Sequence, residues 1–183
     1  MNRQMRRVLV GVAAVAVAGG GIVASTLPAL AMGTGNPYED IQVGVTYTVY
    51  QPSFTDGLKT PTQATGSGQC PKGTEQNLVV AYGPKATPNF VVYEGNPICS
   101  DPGDAQQVTA VKINGATAKI FAYCPQTQSC MRQDVKKLGG YLVVTLPAAS
   151  GLRKTTVEIE TDGQNSVTAR KLIRIARSLQ TVQ

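Results

Sequence analysis

The chain has 183 residues, with 17 basic and 11 acidic side chains, a formal charge of +6 and no histidine. Without histidine, Ser-His-Asp and Cys-His catalysis and every histidine-bearing metal site are excluded. Trp is absent and Phe occurs three times, so a core has to be built from Val, Ile, Leu, Ala and Tyr.

Arg3, Arg6 and Arg7 open the chain, Val8 to Ala18 is apolar apart from Gly11, and Ala29-Leu30-Ala31 offers a small-x-small pattern. These are the three parts of an export signal over residues 1–31. The 24 residues from Val8 to Ala31 carry no charge, enough to span a bilayer. Gly19-Gly20-Gly21 interrupts the run and Pro28 precedes the small-residue site, and both favour cleavage after Ala31 over a retained anchor. Cleavage leaves 152 residues, enough for a single domain with its own core. Their 14 basic and 11 acidic residues give +3, divided as −4 over Met32–Ala110 and +7 over Val111–Gln183.

Residues 32–41, with Gly33, Gly35 and Pro37, read as an extended arm before a domain spanning 42–183. Val43, Val45, Tyr47 and Val49 then alternate with Gly44, Thr46, Thr48 and Tyr50, the period of a half-buried strand. The 52–73 stretch, dense in Gly, Pro, Ser and Thr, is a loop long enough to be disordered or used for binding. Strand-like runs follow at 78–82 and 89–94, joined by a stiff Pro84/Pro88 connection. Turn clusters stand at Gly95-Asn96-Pro97 and over 100–104.

Asn114-Gly115 between 108–113 and 116–123 is a two-residue hairpin signature, because both residues tolerate positive φ. Met131, Gln133 and Val135 open another strand-like stretch. Gly139-Gly140 turns the chain into 141–146, and 155–161 is a final strand. Leu172, Ile175, Ala176 and Leu179 then recur at helical spacing, predicting a helix over about 167–180 capped by Asn165 or Ser166.

An even set of cysteines in an oxidising compartment predicts two disulfides. Cys124 and Cys130 flank a five-residue loop, and Cα atoms at the base of such a loop fall within disulfide reach. That leaves Cys70 with Cys99. A four-thiolate zinc site is the rival, but CxxC spacing is missing. The expected fold is α+β, an antiparallel sheet of about seven or eight strands with one C-terminal helix packed on it.

Chemistry-bearing motifs are few. Glu158 and Glu160 share a strand face and are the carboxylate pair an enzyme would use. Asp101 and Asp104 flank Pro102-Gly103 in a turn that could contribute to a Ca²⁺ site. Tyr47, Tyr50, Tyr82 and Tyr93 are candidates to line a ligand site or the core rim. Arg170, Lys171, Arg174 and Arg177 cover one side of the predicted helix with no acid among them, a candidate contact for an anionic surface. No cofactor is expected. Nucleic acid is not an expected partner, because export removes the usual targets and no stacking aromatics stand beside the basic helix.

The succession "VKINGATAKIFAYC", "GGYLVVTL" and "KLIRIARSL" over residues 111–180 resembles the ending of small extracytoplasmic domains of Gram-positive bacteria. Some of these are attached to anti-sigma factors and others are lipoprotein-like. The resemblance implies an Asn-Gly hairpin, a strand pair and a closing helix. The chain departs from it in its cleavable signal, its expected disulfides and the lack of a cytoplasmic segment. The expected function is that of a secreted or cell-surface, non-enzymatic protein binding an unidentified protein or envelope polymer. The alternatives are a membrane-anchored extracytoplasmic sensor and a carboxylate-based secreted enzyme.

Overall fold

The computed structural model describes residues 34–59, 76–100, 103–149, 151–164 and 167–182. The expected signal at 1–31, Cys70, Asp101, most of the 52–73 loop and the expected caps Asn165 and Ser166 lie outside them.

Pro37–Gln42 forms a short helix, α1, where an extended arm was expected. Asn36 caps it by accepting from the Tyr38 N–H at 3.1 Å, and Pro37 sits in the first turn, where its missing N–H has no partner to lose. Tyr38 is fully buried and shares a 2.8 Å hydroxyl–hydroxyl hydrogen bond with Tyr82. Cap, proline and buried ring together outweigh the two glycines. The alternating stretch 43–50 is also not a strand over its length. Val45, Tyr47 and Val49 point inward as the alternation requires. Upstream of β1 (Tyr50–Pro52), however, the backbone forms no strand, pairing through an isolated bridge from Tyr47 to Arg153 and a 3.1 Å bond from the Val182 N–H to the Val49 carbonyl.

Six strands build the main sheet: β2 (Leu78–Tyr82), β3 (Phe90–Gly95), β4 (Gln106–Ile113), β5 (Ala116–Ala122), β6 (Gly140–Leu146) and β7 (Thr155–Thr161). They are antiparallel in the order β2-β3-β7-β6-β5-β4. Asn114 at φ 47° and Gly115 at φ 81° make the β4–β5 turn as predicted. Residues 132–135 are helical instead of extended, after an extended Met131. Arg132–Asp134 is a 3-10 turn that leads into α2 (Val135–Leu138), with the Asp134 carboxylate accepting from the Met131 N–H at 2.8 Å. The period-two pattern misleads there because only Val135 is buried, while Met131 is 64% exposed.

The C-terminal helix, α3, runs over Ala169–Arg177 and is shorter than expected. The Thr168 hydroxyl caps it at the Lys171 N–H, 3.2 Å away. At the other end Ser178 donates from Oγ to the Ile175 carbonyl at 2.7 Å. The chain then extends into β8 (Leu179–Thr181), which pairs antiparallel with β1. The architecture is therefore a six-stranded sheet plus a two-stranded ribbon, not one sheet of seven or eight strands. The physical reason is local: a Ser cap ends the helix early, and β-branched Thr181 with Leu179 meets Tyr50–Pro52 beside α3. Residues Met32–Gln183 form one compact unit.

One face of the sheet is the core. Leu78, Val80, Tyr82, Phe90, Val92, Ile120, Leu142, Val144, Val157 and Ile159 pack there against Leu172, Ile175 and Ala176 of α3. Cys124 and Cys130 are joined as expected, with Cα atoms 6.4 Å apart. With six residues of sequence separation, the closed loop is short, and opening it is expected to destabilise the domain by about 2 kcal/mol. Urea unfolding of the Cys124→Ser/Cys130→Ser variant against the native chain measures this, and an unchanged midpoint would contradict it.

Candidate functional site

The other face of the sheet carries the chemistry. Its side chains follow from the register. Tyr93, Glu158, Val143 and Lys119 form one row across β3, β7, β6 and β5, and Val91, Glu160, Tyr141 and Phe121 form the next. Thr117, Lys119 and Thr145 are exposed and Phe121 and Val143 half-buried, so this is the solvent side. Tyr123, just past β5, adds its ring to the second row. Phe121 stacks on Tyr141 with centroids 4.7 Å apart and planes 10° from parallel, and Tyr123 tilts against Tyr141 at 6.0 Å.

Within this aromatic setting lie the two carboxylates that the sequence singled out. Their alternate positions on one strand put them on the same face, about 7 Å apart along the chain. Glu160 is half-buried and accepts a 2.5 Å hydrogen bond from the Tyr123 hydroxyl and another from Tyr93. Glu158 is only 3% exposed. Its Oε2 accepts from the Ser100 hydroxyl at 2.8 Å, whereas its Oε1 has no hydrogen-bond partner. Ser100 reaches it because β3 ends beside Thr156 and β4 begins beside Ala122, at opposite ends of the sheet. The described residues 96–100 bring Ser100 from the end of β3 to Glu158.

Burial pushes the Glu158 carboxyl up to about 7; the Ser100 hydrogen bond opposes the shift and the neighbouring Glu160 charge adds to it. The Tyr93, Tyr123 and Tyr141 hydroxyls are all driven up, first by burial and then by the negative charge of this pair. The tyrosines therefore stay neutral donors across the biological pH range. One carboxyl of the pair holds a proton readily, and the other sits among phenol donors.

A second buried carboxyl, Glu94, lies on the core face of β3, where the alternation of the strand calls for an apolar residue. Its Oε2 accepts from the Tyr50 N–H at 2.9 Å and its Oε1 has no partner. Burial drives its pKa well above the ordinary range, with the Tyr50 hydrogen bond acting the other way. It ties the 43–50 segment to the sheet.

The basic residues of α3 are divided in their roles. Lys171 forms a 2.5 Å ion pair with Asp56, and the Arg174 guanidinium lies 3.9 Å over the Phe54 ring. Both hold the segment after β1 against the helix. Arg170 and Arg177 are exposed. Of the tyrosines proposed from sequence, Tyr47 and Tyr82 are core residues and only Tyr93 faces the candidate site. Phe121, Tyr123 and Tyr141 were missed. Their signal is visible only once β5 and β6 are aligned, because Phe121 pairs with Tyr141 and Tyr141 with Glu160. Asp104 is described, but its partner in the proposed Ca²⁺ turn, Asp101, is not. Among the described residues no group of three or more acidic or cysteine ligands converges, and no helix is long and apolar enough to cross a membrane.

A scan against protein-family models finds no match, and searches of curated proteins and of solved structures find none either.

Proposed function

We propose that this is an exported, non-enzymatic domain, secreted or held at the cell surface, that binds a partner protein or an envelope polymer. The observation that carries this reading is the Phe121–Tyr141 stack, with Tyr123 tilted against it, set beside Glu160 on the solvent side of the sheet. Aromatic rings with polar edges concentrate binding energy when they are desolvated. The basic-apolar-small pattern of residues 1–31 and the Cys124–Cys130 bond support an oxidising compartment outside the cytoplasm. The even cysteine count, with Cys124 and Cys130 joined to each other, supports a second disulfide, Cys70–Cys99.

Co-sedimentation of the purified chain with native envelopes tests the reading. Phe121→Ser/Tyr123→Ser is expected to weaken sedimentation roughly tenfold, in keeping with the loss of two central aromatic contacts. Arg170→Gln/Arg177→Gln is expected to leave it unchanged. The reverse pattern, with binding also lost at high salt, would move the contact to an anionic surface on α3. That second reading is favoured by the exposure of Arg170, Arg174 and Arg177. N-terminal sequencing of the native protein separates the secreted form, which starts at Met32, from a membrane-anchored sensor. A carboxylate enzyme is favoured by one arrangement, Glu158 on the same strand face as Glu160 with its carboxyl pushed up to about 7 by burial, since a carboxyl that holds its proton near neutral pH can act as a general acid. Hydrolysis of envelope polysaccharide that Glu160→Gln abolishes would establish it in place of the binding reading.

A further inference from the structure

Three of the four hydroxyl donors around the Glu158–Glu160 pair are committed, and the fourth, on Tyr141, makes no hydrogen bond to Glu158 Oε1. Ser100 donates to Glu158 Oε2, and Tyr123 and Tyr93 donate to Glu160. Glu158 Oε1 alone is left, buried and without a donor. A buried carboxylate oxygen in that condition is unfavourable, and in native proteins such an atom calls for an explanation. The groups facing it are Tyr93 from β3, Glu160 from its own strand, Tyr141 from β6, Tyr123 beyond β5 and Ser100 from the β3–β4 connection, with electrostatic coupling among them. None of these brings a positive charge. Lys119 shares the row of Glu158 but stands two strands away, with Val143 between, a separation of roughly 10 Å.

The missing partner is thus a cation that also donates hydrogen bonds, presented on an apolar stem that can lie along the Phe121–Tyr141 stack. We infer that the outer face of the sheet binds a small primary alkylammonium ligand, its ammonium group between Glu158 Oε1 and Glu160 and its stem against Phe121 and Tyr141. A primary ammonium has three N–H donors and a charge that offsets the pair, and ring faces attract the adjacent positive carbon atoms. A divalent metal is less suited, since no third acidic ligand converges here among the described residues. This inference rests on the outer face being the binding face.

The test is titration of the native chain with butylammonium, followed by amide and side-chain NMR shifts at pH 8, with butanol and tetramethylammonium as comparators. Butylammonium is expected to shift the residues around Glu158 saturably. Butanol, which lacks the charge, and tetramethylammonium, which lacks N–H donors, are expected to bind at least about tenfold more weakly. Glu158→Gln is expected to lose roughly tenfold in butylammonium affinity, with thermal unfolding confirming that it folds. If that variant does not fold, the native chain serves alone: its affinity is expected to fall roughly tenfold between pH 8 and pH 5.5 as Glu158 takes up a proton. Equal binding of butylammonium and butanol, no saturable shift, or affinity unchanged by both Glu158→Gln and pH would overturn the inference. Failure here while Phe121→Ser/Tyr123→Ser still weakens envelope binding removes the ammonium ligand but leaves the binding face. Failure of both removes the face as well.

Discussion

Gly139→Ala is expected to destabilise the domain by about 4 kcal/mol, read as a drop in the urea midpoint or as failure to accumulate folded protein. Two independent effects add. Gly139 ends α2 at φ 79°, ψ −178°, a region that only glycine occupies readily and that costs other residues about 1–3 kcal/mol. A Cβ there would also stand 2.5 Å from the Thr161 carbonyl oxygen and 2.7 Å from the Asp162 carbonyl carbon. Those are backbone atoms at the end of β7, which cannot rotate away, so the clash has to be relieved by moving strands, at a further 1–3 kcal/mol or so. Gly115→Ala is the control. It has a similar positive φ of 81° but nothing within 4 Å, so it is expected to lose only about 1 kcal/mol. Equal losses at the two sites would show that conformation alone matters and that β7 is not held against the end of α2.

The second large effect is on pH. Stability is expected to be highest near pH 4.5 and to decline up to about pH 7.5, the opposite of a protein held by ionised carboxylates. Glu158 has a folded pKa of about 7 against an ordinary 4.5. The native state therefore binds the proton more tightly than the unfolded chain does. That contribution is complete below the unfolded value, is lost as the pH passes through the folded value, and amounts to about 3 kcal/mol at one pK unit per 1.4 kcal/mol. Glu94, fully buried and shifted in the same direction by burial, adds to the slope. Chemical denaturation from pH 4.5 to 8 measures the decline. Glu158→Gln and Glu94→Gln should each flatten part of it. A stability that rises over this range would show that both groups gain a positive partner in solution, and for Glu158 that would bear directly on the ligand argument.

Much of the strand content was legible from residue pattern because it depends on neighbours in sequence. Asn114-Gly115 fixes its hairpin through its own backbone preferences, and 78–82, 141–146 and 155–161 carry enough alternating or continuous apolar residues to call for burial wherever they pack. The same logic failed at 43–50 and 131–135. Both show period two, but an inward-pointing Val49 or Val135 needs only a neighbour to pack on and not a strand to pair with. A cap decided the local outcome at Asn36, Asp134 and Ser178, and each is a single side chain that outweighs several residues of propensity.

The candidate site divides in the same way. Glu158 and Glu160 were recognisable as a same-face pair from their spacing alone, and the Cys124–Cys130 bond from two cysteines flanking a five-residue loop. Their setting was not. That Tyr93, Phe121, Tyr123 and Tyr141 surround the pair depends on β3, β7, β6 and β5 being neighbours, which no local pattern encodes. Likewise, the four basic residues on α3 were correctly seen as one helical side, yet Lys171 and Arg174 are engaged with Asp56 and Phe54, more than a hundred residues earlier in the chain. By itself the sequence determined which segments are amphipathic, which turns are forced, the absence of histidine chemistry, and the expectation of export. The tertiary structure alone decided that one oxygen each of Glu94 and Glu158 is buried without a donor, because desolvation and hydrogen bonding depend on what is packed against a group and not on what precedes it.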